Sequence, residues 1–124
     1  MSDCNVCLTY DGDVNTEFIH QRIVVARKEY RCCECGAAIR IADKYERSSG
    51  KSDGDLWAYK TCLPCAEIGN AFFCEGRWFG GILWDEMQEQ AFPTMNIECL
   101  KKLGTAAAKE FLIQKWNEWK FDHV

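Results

Sequence analysis

The chain has 124 residues, a hydrophobic content of 48% and a formal net charge of −4, which predicts one compact domain and argues against global disorder. No stretch approaches the roughly eighteen apolar residues of a membrane span, and the acidic start MSDCNVCLTYDGD lacks the pattern of a secretion signal. We therefore expect a cytoplasmic protein with no membrane partner. Its nine cysteines, an odd number in a reducing compartment, favour metal ligation over disulfides.

The first half of the chain is predicted to be extended. Residues 1–21 are interpreted as an irregular N-terminal arm, and RIVVARKEYRC as a strand that enters a cysteine-rich turn. AAIRIADKYERSSG predicts a strand pair or bent strand, SSGKSDGD a turn, and LWAYKTC the returning strand of a hairpin. With the helices that follow, this pattern predicts an α+β fold in which residues 22–92 form a small β-hairpin module.

Four helices are predicted after the hairpin. Pro64 suits the first turn of a helix and Gly76 its end, ILWDEMQEQAF predicts a second helix, and MNIECLKKLG a short third one. Residues 93–124 are interpreted as a helical extension, whose last helix is capped by Thr105. One face of that helix is apolar and is expected to dock on the domain or on a second copy of the chain; it consists of Ala108, Phe111, Leu112, Trp116 and Trp119.

Two cysteine pairs carry the strongest chemical signal. Cys32 and Cys35 form one Cys-x-x-Cys, Cys62 and Cys65 form another, and the 26 residues from 36 to 61 separate them, which is a spacing typical of zinc sites. The second pair lies at the start of a predicted helix, where the helix dipole favours thiolate. Four thiolates would complete a tetrahedron around Zn²⁺ and leave no open coordination position.

The other cysteines suggest a second zinc site. Cys4 and Cys7 form a third Cys-x-x-Cys. The side chain of Cys33 is expected to project away from the first metal, and Cys74 lies half a turn out of phase with the first site on its predicted helix. We therefore predict a second site formed by Cys4, Cys7, Cys33 and Cys74, with His20 as an alternative ligand. The competing interpretation is that Cys33 and Cys74 are buried and unliganded.

A family resemblance follows from these motifs. The pattern RCCECG…I…Y…SGK.DGD…Y.TC..C, followed by WFGGILWDEM, resembles small zinc-finger proteins of bacteriophages and prophages. Residues 30–65 in particular are similar to treble-clef and zinc-ribbon modules. The resemblance covers roughly residues 22–90, and it implies a zinc-stabilised hairpin and a phage origin. It implies no activity, and the C-terminal extension lies outside it.

Three classes of function fit these features unequally. A catalytic zinc requires an open coordination position, so closed thiolate sites and only two histidines predict a protein that is not an enzyme. Nucleic-acid binding is the alternative, because residues 22–60 contain nine Lys or Arg against six Asp or Glu. The acidic remainder argues against tight binding to a phosphate backbone.

The preferred prediction is a zinc-stabilised protein-binding module. Trp78 and Phe79 follow Gly76 in a predicted loop, where aromatic side chains suit a partner surface, whereas Cys99 is expected to be a buried small hydrophobic residue and His123 to be solvated. Given the phage resemblance, the expected partner is a host enzyme or defence complex that the protein modulates or inhibits.

Overall fold

The computed structural model describes residues 4, 6–9, 16–52, 54–73 and 81–122. Within these ranges strands precede helices, and the predicted α+β class is confirmed. The strands are β1 (Thr16–Val25), β2 (Tyr30–Arg31), β3 (Ala38–Ile39), β4 (Lys44–Ser52) and β5 (Asp55–Cys62). The helices are α1 (Leu63–Phe72), α2 (Leu83–Glu86), a π-helical turn (Met87–Ala91), a 3₁₀-helix (Ile97–Lys102) and α3 (Ala106–Asp122).

An antiparallel sheet with the strand order β1–β4–β5 forms the larger of two sheets, and β2 pairs with β3 in the smaller one. The predicted hairpin is β4–β5. Its strands meet at Ser52 and Asp55, and Gly54 between them has a φ of 87°, a left-handed conformation that glycine adopts without steric cost. β1 begins at Thr16 rather than at Arg22 as predicted, because Thr16, Phe18 and His20 also pair with β4, with a register shift between Phe18 and His20.

The helical segments begin directly after β5. Pro64 lies in the first turn of α1, where its missing N–H leaves no hydrogen bond unmade. α1 ends at Phe72, and the predicted end at Gly76 lies outside the described residues. The second predicted helix is α2 followed by the π-helical turn, in which the N–H of Phe92 donates to the carbonyl of Met87 at 2.8 Å. No helix within the described ranges is long and apolar enough to cross a membrane.

The C-terminal helix α3 packs on the domain through its apolar face, as predicted. Thr105 caps it, since the Thr105 Oγ1 accepts a hydrogen bond from the N–H of Ala108 at 3.2 Å. Ala108 and Leu112 are completely buried, and the aromatic residues of the face pack against the same core. The ring of Phe111 meets that of Trp84 edge-on at a centroid distance of 5.4 Å, which fixes α3 beside α2.

The N-terminal segment is joined to the helical half. The N–H of Leu8 donates to the carbonyl of Phe72 at 2.8 Å, and the Leu8 side chain is buried. A disulfide links Cys4 to Cys99, which lies in the 3₁₀-helix. Cys99 is buried as predicted, but the preference for metal ligation over disulfides is wrong for these two cysteines, because the fold brings together residues 95 positions apart.

Candidate metal centre

The sulfur atoms of Cys32, Cys35, Cys62 and Cys65 lie within 4.8 Å of one another, so the predicted grouping is confirmed. Cys32 and Cys35 belong to the turn between β2 and β3, Cys62 is the last residue of β5, and Cys65 lies in the first turn of α1. The group therefore joins both sheets to the first helix. Cys32 and Cys65 are buried, and the other two are partly exposed.

The geometry of this group fits a tetrahedral metal ion. Zinc–sulfur bonds of about 2.3 Å in a tetrahedron place the sulfur atoms about 3.8 Å apart. The Sγ atoms of Cys35 and Cys62 are separated by 3.7 Å. Four cysteines without a histidine or carboxylate ligand are the donor set of structural zinc sites, which lack an open position for water or substrate.

Backbone hydrogen bonds shape the turn that carries the first two cysteines. The N–H of Cys32 donates to the carbonyl of Ala37 at 2.9 Å, and the N–H of Gly36 donates to the carbonyl of Cys32 at 3.0 Å. Gly36 has a φ of 75°, which explains the glycine after the second cysteine. The Sγ of Cys32 accepts hydrogen bonds from the N–H groups of Glu34 at 3.4 Å and Cys62 at 3.3 Å. These N–H groups stabilise a thiolate at Cys32.

The thiols also perturb one another. Hydrogen bonds from the side chains of Cys62 and Cys65 lower the pKa of Cys32 well below its usual range. The same contacts with Cys32 raise the pKa of Cys62 and of Cys65. The thiols of Cys62 and Cys65 therefore favour the thiolate form of Cys32. A bound dication would displace the remaining thiol protons, since only deprotonated cysteine ligates a metal.

Cys33 lies in the same turn but faces away from this group. Its Sγ donates to Glu34 Oε2 at 3.2 Å and lies 3.4 Å from Thr61 Oγ1, while its N–H donates to the carbonyl of Lys60 at 2.9 Å. Burial raises the pKa of Cys33 to about 12, so the side chain is a protonated thiol at neutral pH. The contacts of Cys33 with Thr61 and Lys60 link the cysteine turn to β5.

The carboxylate of Glu34 has a role that the sequence analysis missed. Its Oε1 accepts a hydrogen bond from the N–H of Leu83 at 2.8 Å, and its Oε2 accepts one from the N–H of Gly81. Burial raises the pKa of Glu34, and these N–H groups oppose that effect. Because Leu83 is the first residue of α2, Glu34 couples the cysteine turn to the start of that helix.

A second metal group is not found among the residues that the structure describes. Cys4 is bonded to Cys99, and Cys7 is also disulfide-bonded. Cys33 contacts β5 instead of the N-terminal segment. The fourth predicted ligand, Cys74, lies outside the described residues.

His20, the alternative ligand, is exposed on β1 and does not belong to the four-cysteine group. The predicted partner-surface aromatics Trp78 and Phe79 lie outside the described ranges, as does His123.

Comparisons with protein-family models, with curated proteins and with solved structures found no match for this chain.

Proposed function

We propose that this protein is a zinc-stabilised, treble-clef-like module that acts by docking on another protein, as a phage accessory protein that inhibits a host enzyme or defence complex. The four-cysteine group supports the zinc assignment, because its donor set and spacing match those of a closed tetrathiolate site. Such a site stabilises a small fold and leaves its surface available for binding.

The observation that carries the docking function is the apolar edge of the larger sheet. β1 is an edge strand of that sheet, and its side chains Ile23 and Val25 are 53% and 54% exposed. They lie on one face of the strand because they are two residues apart. Ile41, in the turn that hydrogen-bonds to Ala26, is 68% exposed. Exposed apolar edge strands pair readily with other chains.

The test is affinity capture from a nuclease-treated lysate of a bacterial host. The tagged protein should retain an enzyme whose activity the purified protein then inhibits. The variant Val25→Lys/Ile41→Lys should lose both capture and inhibition. The matched control is Ile97→Lys, which places the same charge at another exposed isoleucine. Equal capture and inhibition by the edge variant and the control would refute the proposed docking surface.

A row of cations favours nucleic-acid binding as a second candidate function. In the sheet register Arg22 lies opposite Arg47, and Arg47 lies opposite Lys60, so three positive side chains share one face of three neighbouring strands. Like charges directly opposite one another destabilise a sheet. The ion pairs among the described residues, Lys101–Glu98 and Lys115–Glu118, do not involve this row. A polyanion would offset the repulsion.

The surroundings of the row suit phosphate and base contacts. A cavity of about 600 Å³ on this face is lined by Arg22, Arg27 and Arg47 together with Tyr30 and Tyr45. Lys60 Nζ lies 4.6 Å from the centre of the Tyr30 ring.

Fluorescence anisotropy with a labelled single-stranded oligonucleotide tests this candidate. We expect binding at low salt that is largely lost at physiological salt, because so few cations release few counterions. Arg22→Ala/Arg47→Ala should abolish the binding, and Lys51→Ala, farther along β4, should reduce it only slightly. Equal losses in the two variants would show non-specific charge attraction and would refute the candidate.

A further inference from the structure

A cavity of about 580 Å³ lies between the larger sheet, α1 and the start of α3. It is on the sheet face opposite to the cation row, since neighbouring residues of a strand point to opposite faces. Its walls are mainly apolar, and two carboxylates interrupt them. The apolar lining includes Ile23, Leu63, Pro64 and Ala71, and the two carboxylates are those of Glu46 and Glu67.

The two carboxylates differ in their hydrogen bonding. Glu67 is fully engaged: its Oε2 accepts from the N–H groups of Gly104 at 2.8 Å and Thr105 at 3.1 Å, and its Oε1 accepts from Thr105 Oγ1 at 2.8 Å. Glu46 is only 6% exposed. Its Oε2 accepts from Asn70 Nδ2 at 3.0 Å, whereas its Oε1 accepts no hydrogen bond from any described residue.

A buried carboxylate oxygen without a donor is costly, because burial removes its hydration, and no described residue replaces that hydration at Glu46. Lys102 is the cation that lines the cavity among the described residues. Its Nζ is directed elsewhere: it donates to the carbonyl of Val6 at 2.9 Å and lies 5.3 Å from the centre of the Phe72 ring. Glu46 therefore lines the cavity with a carboxylate whose Oε1 is buried just beneath the cavity surface and accepts no hydrogen bond from a described residue.

We propose that this cavity binds a primary alkylammonium group, the side chain of a lysine from a protein partner. The ammonium binds the Glu46 carboxylate, whose buried Oε1 turns toward it, and the methylene stem lies against Ile23, Leu63 and Pro64. A lysine side chain combines an apolar stem with a terminal donor, which matches both parts of the cavity. The acidic balance of the chain, −4 overall, favours a basic partner. Ile23 also belongs to the apolar edge of β1, so the cavity adjoins that edge. Because it names a protein partner, this proposal rests on the proposed docking function.

The experiment is an NMR titration of the metal-loaded 124-residue chain, labelled with ¹⁵N. The probe is n-butylammonium, and 1-pentanol is the neutral control. We expect n-butylammonium to cause saturable shifts at the Asn70 side-chain amide and at the backbone amides of Ile23 and Glu46. Pentanol should bind roughly tenfold more weakly or worse, because it lacks the charge-assisted hydrogen bond. Equal binding of the two probes would overturn the proposal without any variant.

A pair of variants makes the assignment specific. Glu46→Gln keeps the shape of the side chain and should weaken n-butylammonium binding by roughly tenfold or more. Glu110→Gln, which removes an exposed carboxylate of α3, should leave it unchanged. Equal binding by Glu46→Gln and the native chain would overturn the proposal.

The outcomes for the cavity and for protein docking are separable. If n-butylammonium does not bind while affinity capture still succeeds, the lysine site is refuted and the docking function stands. If n-butylammonium binds but Glu46→Gln captures the same partner as the native chain, the cavity serves a free alkylamine and the lysine assignment is refuted. If n-butylammonium binds and no partner is captured, the docking function fails together with the assignment to a partner's lysine.

Discussion

Replacing Cys32 by serine tests the role of the four-cysteine group most directly. Cys32 is buried, and its Sγ accepts hydrogen bonds from the N–H groups of Glu34 and Cys62. The substitution removes one of four thiolates and leaves the other three without a closed tetrahedron. Structural zinc sites supply apparent binding free energies of about 10–16 kcal/mol, which is comparable to the roughly 5–15 kcal/mol by which domains are stable. We therefore expect Cys32→Ser to lack metal and to be largely unfolded.

Cys33→Ser is the matched control, one residue away. Its thiol contacts Glu34 and Thr61 and lies outside the metal group. The serine hydroxyl can replace the donor to Glu34, so the loss should be at most that of one hydrogen bond, about 0.5–1.5 kcal/mol. We expect this variant to retain its metal and to unfold at a slightly lower temperature than the native protein.

Metal analysis by mass spectrometry and thermal unfolding followed by tryptophan fluorescence measure both effects. The native chain and Cys33→Ser should each contain one metal ion, and Cys32→Ser should contain none. Equal metal content in the two serine variants would refute the reasoning. Two ions in the native chain, with one lost in Cys33→Ser, would instead establish the second zinc site predicted from the sequence.

Three further predictions concern stability. Leu112→Ala should lower the free energy of unfolding in urea by about 2–5 kcal/mol, because the side chain is completely buried. Ile113→Ala, on the exposed side of α3, should lower it much less, and equal losses would contradict the packing of α3. Cys99→Ala should cost about 2–5 kcal/mol under oxidising conditions by opening the disulfide to Cys4, and a difference that persists in dithiothreitol would indicate another cause. Burial raises the pKa of Glu67, but hydrogen bonds from Thr105 outweigh that effect and lower the pKa below 4.5. The stability that the Glu67 carboxylate contributes is therefore present above pH 4.5 and is lost as the pH falls through the lowered pKa. The melting temperature of the native chain should fall more steeply on acidification than that of Glu67→Gln, and parallel curves would contradict this.

Local chemistry made much of the fold predictable from the sequence. The turn predicted over SSGKSDGD is confirmed only at its end: Gly54 adopts a left-handed φ between Ser52 and Asp55, whereas residues 48–52 belong to β4. Pro64 marks the start of α1, because an N–H in the first turn of a helix has no partner within the helix and proline lacks one. Thr105 marks the start of α3, because its hydroxyl accepts a hydrogen bond from the N–H of Ala108. The two Cys-x-x-Cys pairs predicted the four-cysteine group, because each spacing requires only a short turn to bring two sulfur atoms together.

Tertiary structure alone decided the features that depend on distant residues. The partner of Cys4 could not be predicted, since its disulfide spans 95 positions and sequence spacing does not determine which cysteines pair. The strand register places Arg22, Arg47 and Lys60 side by side. A shift of one residue in the pairing of a strand would move each of its side chains to the other face of the sheet. The free oxygen of Glu46 depends on the packing of α1 against the sheet, because burial and the positions of donors arise only when those elements meet.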